Sequence, residues 1–209
     1  MIFGSSIAEG YWAVSGGWVQ LLIERVSQHH VDTRAGADRG DWVMNLGVGG
    51  DTVSRVAARL PGEAAARTGP HAADLAFVFA VGGNDSMRIT GRDLSDPERF
   101  AGDLEGLHAV ATGLSQRVMF VGLTPVDPAA ELARSLFDAG RLRVFDSVLR
   151  EVSARAGAPF VPLMDDFQSG LDAGRQLLSF DGVHPSDEGH RLIHDRVRPV
   201  LAEWLHDLR

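Results

Sequence analysis

Apolar residues follow two rhythms along this chain. Leu75-Ala76-Phe77-Val78-Phe79-Ala80-Val81 is an unbroken apolar run, and Val118-Met119-Phe120-Val121-Gly122-Leu123 is nearly one. Short continuous runs of this kind predict central parallel strands buried on both faces. Trp42 to Val48 predicts a second strand, and Phe160-Val161-Pro162-Leu163-Met164 a fifth, near an edge because its proline cannot donate to a ladder. Met1-Ile2-Phe3 is the stub of a first strand, short against a usual length of about 5–6 residues.

Between these runs the apolar positions recur at helical spacing. From Gly16-Gly17 to His30, Trp18, Leu22 and Val26 fall on one stripe, and a polar loop over 31–40 follows. Val53, Val56, Ala57 and Leu60 begin a second helix, with Asp51 or Thr52 placed to cap it. Phe100, Leu104, Leu107, Ala111 and Leu114 mark a third, after a loop that runs through Pro97. Residues 129–156 are mostly helical, with a break expected near Gly140, and Ser186 caps a last helix whose stripe runs from Ile193 to Leu208. Five strands alternating with helices, without internal repeats, predict one domain over 1–209. Its class is α/β, a three-layer α/β/α sandwich around a five-stranded parallel sheet.

That architecture sharpens the reading of the polar motifs. Ligands of such sheets bind at the carboxyl ends of the strands. Gly4-Ser5-Ser6, Gly47 to Thr52 and Gly82-Gly83-Asn84-Asp85 each follow directly on a predicted strand, so all belong to one edge of the sheet. Near the other end of the chain, Asp181-Gly182-Val183-His184-Pro185 is a poor helix. The glycine frees the backbone and the proline disfavours helix at the residue before it. A tight loop there holds a carboxylate and an imidazole together, as a histidine base requires. Ser6 then stands as nucleophile, His184 as general base and Asp181 as its orienting carboxylate. The Ser6 N–H, the Gly50 N–H and the Asn84 amide are candidate donors to an oxyanion.

Composition narrows the partners. The 209 residues are 44% hydrophobic and 23% charged, ordinary for a globular protein. A net charge of -8 argues against nucleic acid or an anionic membrane as partner. There is no lysine, a bias consistent with the coding DNA, and no cysteine, which removes thiol nucleophiles and thiolate metal sites. No apolar run approaches the roughly 18 residues of a membrane span, and a cytoplasmic protein is the default expectation. The oligomeric state is not readable.

The four blocks together resemble the SGNH hydrolases, also called GDSL esterases and lipases. Phe3-Gly4-Ser5-Ser6-Ile7 resembles the first block and Asn45-Leu46-Gly47-Val48-Gly49-Gly50-Asp51-Thr52 the second. Gly82-Gly83-Asn84-Asp85 is similar to the third and Asp181-Gly182-Val183-His184-Pro185 to the last. The resemblance implies a flavodoxin-like sheet and hydrolysis of a small-molecule ester or thioester without metal or cofactor. It puts Ser6 at the nucleophile, Gly50 and Asn84 in the oxyanion hole, and leaves acyl transfer open as a use of the same residues. One departure stands out: the family usually has Asp where this chain has Ser5. That change alters the hydrogen bonding around the nucleophile turn and leaves Ser5 as a rival nucleophile. Together with the short first strand, it also allows a non-catalytic binding module of this fold.

Other features are weaker. Gly47 to Thr52 lacks the Lys of a P-loop and the third glycine of a dinucleotide fingerprint, so nucleotide binding is not favoured. His190 and His194 have zinc-like spacing without the usual Glu; a solvated face or packing beneath the catalytic loop fits better. Asp165 and Asp166 read as a solvated loop. Trp12 and Trp18 are candidates for an acyl pocket or for packing. Arg88 and Arg92, in the loop after the third motif, are candidates to bind an anionic group on the substrate. His29, His30, His71 and His206 carry no signal.

Overall fold

The computed structural model describes residues 1–34, 40–68 and 75–208. Its main sheet is built from β1 (Ile2–Gly4), β2 (Asn45–Gly47), β3 (Phe77–Ala80), β6 (Val118–Val121) and β7 (Phe160–Val161). All pairings in it are parallel, in the order β2-β1-β3-β6-β7. Counting only these strands, the order is 2-1-3-4-5, the flavodoxin-like arrangement, in which the winding reverses between β1 and β3. The stub of a first strand is therefore a central strand. Ile2, Phe3 and Gly4 pair with β2 on one side and β3 on the other.

Two apolar layers flank the sheet. On one face α3 (Val53–Thr68), α4 (Pro97–Thr112) and α6 (Ala139–Arg155) pack over Phe3, Phe77, Phe79 and Phe120. On the other, α2 (Trp18–Thr33) and α8 (Asp187–Leu201) cover Ile2, Val78, Met119 and Val121. Successive strand side chains point to opposite faces, so Ile2 and Phe3 enter different cores. The continuous apolar run of β3 is the consequence of burial on both faces, as predicted.

The departures from the sequence reading have local causes. β2 spans only Asn45–Gly47, because the chain before it is held elsewhere: the Asp41 N–H donates to Asp207 Oδ2 at 2.7 Å and Trp42 stays exposed. β7 stops at Val161, before Pro162, and lies at the sheet edge. The helical stretch after 129 breaks near Gly140 as expected, at Phe137-Asp138, between α5 (Glu131–Leu136) and α6. Asp138 caps α6 by accepting from the Arg141 N–H at 2.7 Å. The last helix ends at Leu201, not at 208. Asp207 draws the tail back onto α2, where His29 and His30 reach it at 3.3 and 2.6 Å. Those histidines lie on α2, which runs on to Thr33, into the stretch read as loop; His71 lies outside the described residues.

Three elements had no counterpart in the sequence reading. They are the one-turn helix α1 (Ser6–Glu9), the hairpin β4 (Arg88–Ile89) and β5 (Arg92–Asp93), and α7 (Met164–Asp172). Asp165 and Asp166 are in the first turn of α7, a helix, not a loop; Asp166 pairs with Arg196 at 2.8 Å.

Candidate active site

The residues picked out at the strand ends do converge. β1 delivers Ser6 as the first residue of α1, and the loop before α8 brings His184 to it from 178 positions away. His184 Nε2 lies 2.8 Å from Ser6 Oγ, and His184 Nδ1 lies 2.6 Å from Asp181 Oδ2. A carboxylate can only accept from that ring nitrogen, which places the proton on Nδ1 and leaves Nε2 to accept from the hydroxyl.

Asp181 accepts five hydrogen bonds, all from protein groups. Oδ1 accepts from Ser179 Oγ at 2.8 Å, the Val183 N–H at 2.9 Å and the His184 N–H at 3.0 Å. Oδ2 accepts from His184 and also from the Trp12 indole N–H at 2.8 Å. Burial alone would raise the pKa of this carboxyl. The bonds from the Val183 N–H, the His184 ring, the His184 N–H and Ser179 outweigh it and hold Asp181 well below the usual carboxylate range. The loop depends on Gly182 at φ 70, where a Cβ would stand 2.4 Å from that of Ala130. Ser186 caps α8 as predicted, accepting from the Gly189 N–H at 3.2 Å.

Trp12 has φ 63, unusual for a bulky residue. Its neighbours impose that conformation. Asp187, in the first turn of α8, accepts from the Val14 N–H at 2.8 Å and from Ser15 Oγ at 2.6 Å. The segment after α1 is thereby tied to the element that follows His184. Tyr11 lies over the His184 ring at 5.5 Å, and Trp12 against Phe180 at 5.2 Å.

The second and third motifs meet on the other side of Ser6. Asn84 Nδ2 donates to the Asp51 carbonyl at 2.8 Å, which fixes the amide; its other N–H has no partner among the described residues. Gly50, at φ 80, has nothing within 4 Å of where a Cβ would be, so that side of the residue is open. The Asp51 carboxylate is held by Arg59 Nε at 2.8 Å; the same guanidinium donates to the Leu46 carbonyl at 2.6 Å and lies over the Phe3 ring at 5.1 Å. The Val53 N–H at the start of α3 is taken by neither Asp51 nor Thr52 but by Asp85, both of whose oxygens are 3.2 Å away. Burial pushes the Asp85 carboxyl up to about 6, against the lowering effect of that N–H.

Two hollows adjoin these groups. A cavity of about 60 Å³ is lined by Ser5, Ser6 and Asn84 together with Trp18, Leu123 and Phe137 among others. A cleft of about 430 Å³ is lined by Gly50, Thr52, Arg55, Ser95, Arg99 and Asp103 among others. Arg88 and Arg92 line neither: they sit on the exposed β4–β5 hairpin, where Arg88 Nε is 2.6 Å from Asp93. The arginines that line the cleft are Arg55 and Arg99. His190 is fully buried, packed beneath the catalytic loop, where its Nδ1 accepts from the Trp18 N–H at 3.3 Å and burial lowers its pKa to about 4. His194 pairs with Asp195, while Asp187 and Glu188 turn to Ser15 and Arg175. No group of three or more His, Cys, Asp or Glu among the described residues could hold a metal ion.

The chain matches the GDSL-like lipase/acylhydrolase family over residues 2–192. It belongs to that family. The chain is 24% identical to the esterase TesA of Pseudomonas aeruginosa over 206 residues, 98% of this chain and 88% of TesA. It is 29% identical to the GDSL lipase Rv0518 of Mycobacterium tuberculosis over 130 residues, 62% of this chain but only 51% of that protein. Among solved structures, the lipase/acylhydrolase of Enterococcus faecalis superposes with a TM-score of 0.74 at 22% identity, over 98% of this chain and 95% of the other. That likeness concerns the fold. Membership of the family places the chain among the carboxylic ester hydrolases. Among the described residues, no helix is long and apolar enough to cross a membrane.

Proposed function

We propose that this chain hydrolyses small-molecule esters of short acyl groups through an acyl-enzyme on Ser6. The observation that carries the reading is the hydrogen-bonded chain from Ser6 Oγ through His184 to Asp181, at 2.8 and 2.6 Å. His184 Nε2 takes the hydroxyl proton as Oγ attacks the ester carbonyl. The oxyanion accepts from the Ser6 N–H, the Gly50 N–H and the free Asn84 N–H. On collapse, the alcohol leaves with the proton returned by His184. Water then repeats the sequence on the acyl-enzyme, with His184 again as base. Asp181, kept ionised, orients the ring and stabilises the imidazolium that forms in each half-reaction. These steps need neither metal nor cofactor. Ser5 is the lesser candidate for nucleophile, since its hydroxyl has no hydrogen bond to His184 or to any other described residue.

The acyl size follows from the cavity beside Ser6. One water-sized group needs about 10–15 Å³ in this measure, so about 60 Å³ takes roughly four to six heavy atoms, a chain about as long as butyryl. The larger, more polar cleft beside Gly50 is left for the alcohol part. The test is hydrolysis of p-nitrophenyl esters from acetate to palmitate by the wild type, Ser6→Ala and Ser5→Ala. Ser6→Ala is expected to abolish turnover and Ser5→Ala to retain it, with the wild-type optimum at butyrate or shorter. Turnover surviving in Ser6→Ala would remove the nucleophile, and an optimum at octanoate or beyond would remove the assignment of the cavity.

A further inference from the structure

A cation in the first turn of a helix meets the positive end of the helix dipole and is disfavoured there. Two helices of this chain carry one all the same. Arg55 is the third residue of α3 and Arg99 the third of α4. The chain compensates neither. Arg55 makes no hydrogen bond or ion pair with any described residue. Arg99 has one ion pair, with Asp103 a turn further on, at 3.9 Å. A single exposed contact of that length contributes little. Both side chains are exposed, and both line the cleft of about 430 Å³ that reaches Gly50 in the oxyanion hole. Two acidic residues line it as well, Asp103 and Asp85. Asp85 is buried, turns both oxygens to the Val53 N–H and forms no ion pair with either arginine. Met87, Ile89 and Leu94 give the cleft an apolar part. Two arginines from different helices thus meet in one open hollow beside the catalytic groups, and helix stability does not account for their placement.

We infer that Arg55 and Arg99 form an anion subsite for the alcohol part of the substrate, so that the preferred ester carries a carboxylate or a phosphate there, joined to the scissile oxygen through a short apolar linker. The inference rests on the hydrolase reading above, with the alcohol part in this cleft. A guanidinium presents its donors as a planar fork that matches the oxygens of either anion. An anion bound between the two also meets the favourable ends of the α3 and α4 dipoles, which the arginines alone oppose. It replaces the long Arg99–Asp103 contact with a closer one. The rest of the chain works against such a ligand, since the net charge is -8. Attraction of an anionic ester must therefore be local, and a hydrolase of this charge without the subsite would discriminate against it.

The experiment measures release of butyrate from three butyryl esters, those of γ-hydroxybutyrate, of its amide and of 1,3-propanediol monophosphate. The first two differ only in charge, and the third exchanges carboxylate for phosphate. At neutral pH and low salt the wild type is expected to favour one or both anionic esters over the amide by about tenfold in kcat/KM, mostly through KM. The anion giving the larger ratio identifies the group the subsite takes. The ratio should shrink as NaCl is raised towards 1 M, where the Debye length is about 3 Å. Arg55→Gln and Arg99→Gln should each lower it, the double variant should bring it to about one, and Arg55→Glu should take it below one. Arg92→Gln, on the hairpin outside the cleft, should leave it unchanged. A wild-type ratio of one or less for both anions overturns the inference. So does a ratio that survives the double substitution, or one that falls as far in Arg92→Gln, since the general field of the protein would then be its source. A wild type that cleaves p-nitrophenyl butyrate without preferring either anion brings down the subsite alone. One that cleaves neither p-nitrophenyl butyrate nor any of the three esters brings down the hydrolase reading, and the subsite with it.

Discussion

The indole of Trp12 offers a direct test of how the catalytic carboxylate is held. Asp181 Oδ2 accepts two donors, the imidazole Nδ1–H at 2.6 Å and the Trp12 Nε1–H at 2.8 Å. Trp12→Phe removes the second and keeps an aromatic ring against Phe180. A hydrogen bond to an ionised acceptor contributes roughly 1.5–3 kcal/mol when buried. Trp12 is 53% exposed, so solvent reduces this to about 1 kcal/mol. Losing the donor makes Oδ2 more basic and strengthens its hold on the imidazole proton. The acid limb of the kcat/KM profile should then move up by about half a pH unit, since one unit corresponds to about 1.36 kcal/mol and only part of the change is passed on. Asp181 also loses one of its restraints, and the poorer alignment should lower kcat roughly tenfold with KM little changed. The assay is kcat and kcat/KM on p-nitrophenyl butyrate from pH 5 to 9 for the wild type, Trp12→Phe and Trp12→Ala. A uniform fall at every pH, with the limb in place, would mean that Trp12 only packs the loop. Activity within twofold of wild type across the whole range would refute the argument altogether.

Two further outcomes follow from the other side of the site. Asn84→Ala should lower kcat by about 10²–10³ and leave KM nearly unchanged, because its free N–H acts on the oxyanion and not on the bound ester; a loss under tenfold would take Asn84 out of that role. Asp85 governs stability, not turnover. Its pKa rises on folding to about 6 from an ordinary 3.8, so the folded state binds the extra proton between those values. Stability from this group is therefore full below pH 3.8 and is lost as pH rises through about 6, by an amount on the order of 3 kcal/mol. Asparagine can still accept from the Val53 N–H and does not ionise. Urea unfolding of the wild type and Asp85→Asn at pH 4 to 7 should show the variant gaining on the wild type as pH rises; a pH-independent difference would contradict the assignment.

Legibility in the sequence tracked how local the determining interaction is. The strands β3 and β6 were plain because burial on both faces leaves a short uninterrupted apolar run, rich in β-branched and aromatic residues and closed by glycine or proline turns. The ends of β2, β7 and α8 were misjudged because each is set by a distant partner or by one residue. Asp207 draws Asp41 and the chain terminus onto α2, and Pro162 ends a ladder that its neighbours would have continued. α7 escaped because residues 164–172 follow a proline-bearing strand closely and carry two acidic residues, which in a first turn favour a helix as readily as a loop.

At the site, the four blocks were readable because glycine and proline around each polar residue leave few conformations. The residues that hold those blocks in place were not. Arg59, Trp12, Asp187 and the capping role of Asp85 all act across loops: Arg59 joins Asp51, Leu46 and Phe3, and Asp187 ties Val14 and Ser15 to α8. Arg59 carries the nearest thing to a signal, as a polar residue one position before Leu60 on a helix leaving a glycine-rich turn. A single sequence cannot separate that from an ordinary solvated arginine. The placement of Arg88 and Arg92 outside the cleft was unreadable for a related reason. A cation four or eight residues beyond Asn84 was assumed to overhang the site, but the β4–β5 hairpin carries both outward, while α3 and α4 bring Arg55 and Arg99 inward from elsewhere in the chain. Chemistry confined to a motif can be read from the motif; the shape of the space around it depends on which helices close over the sheet edge.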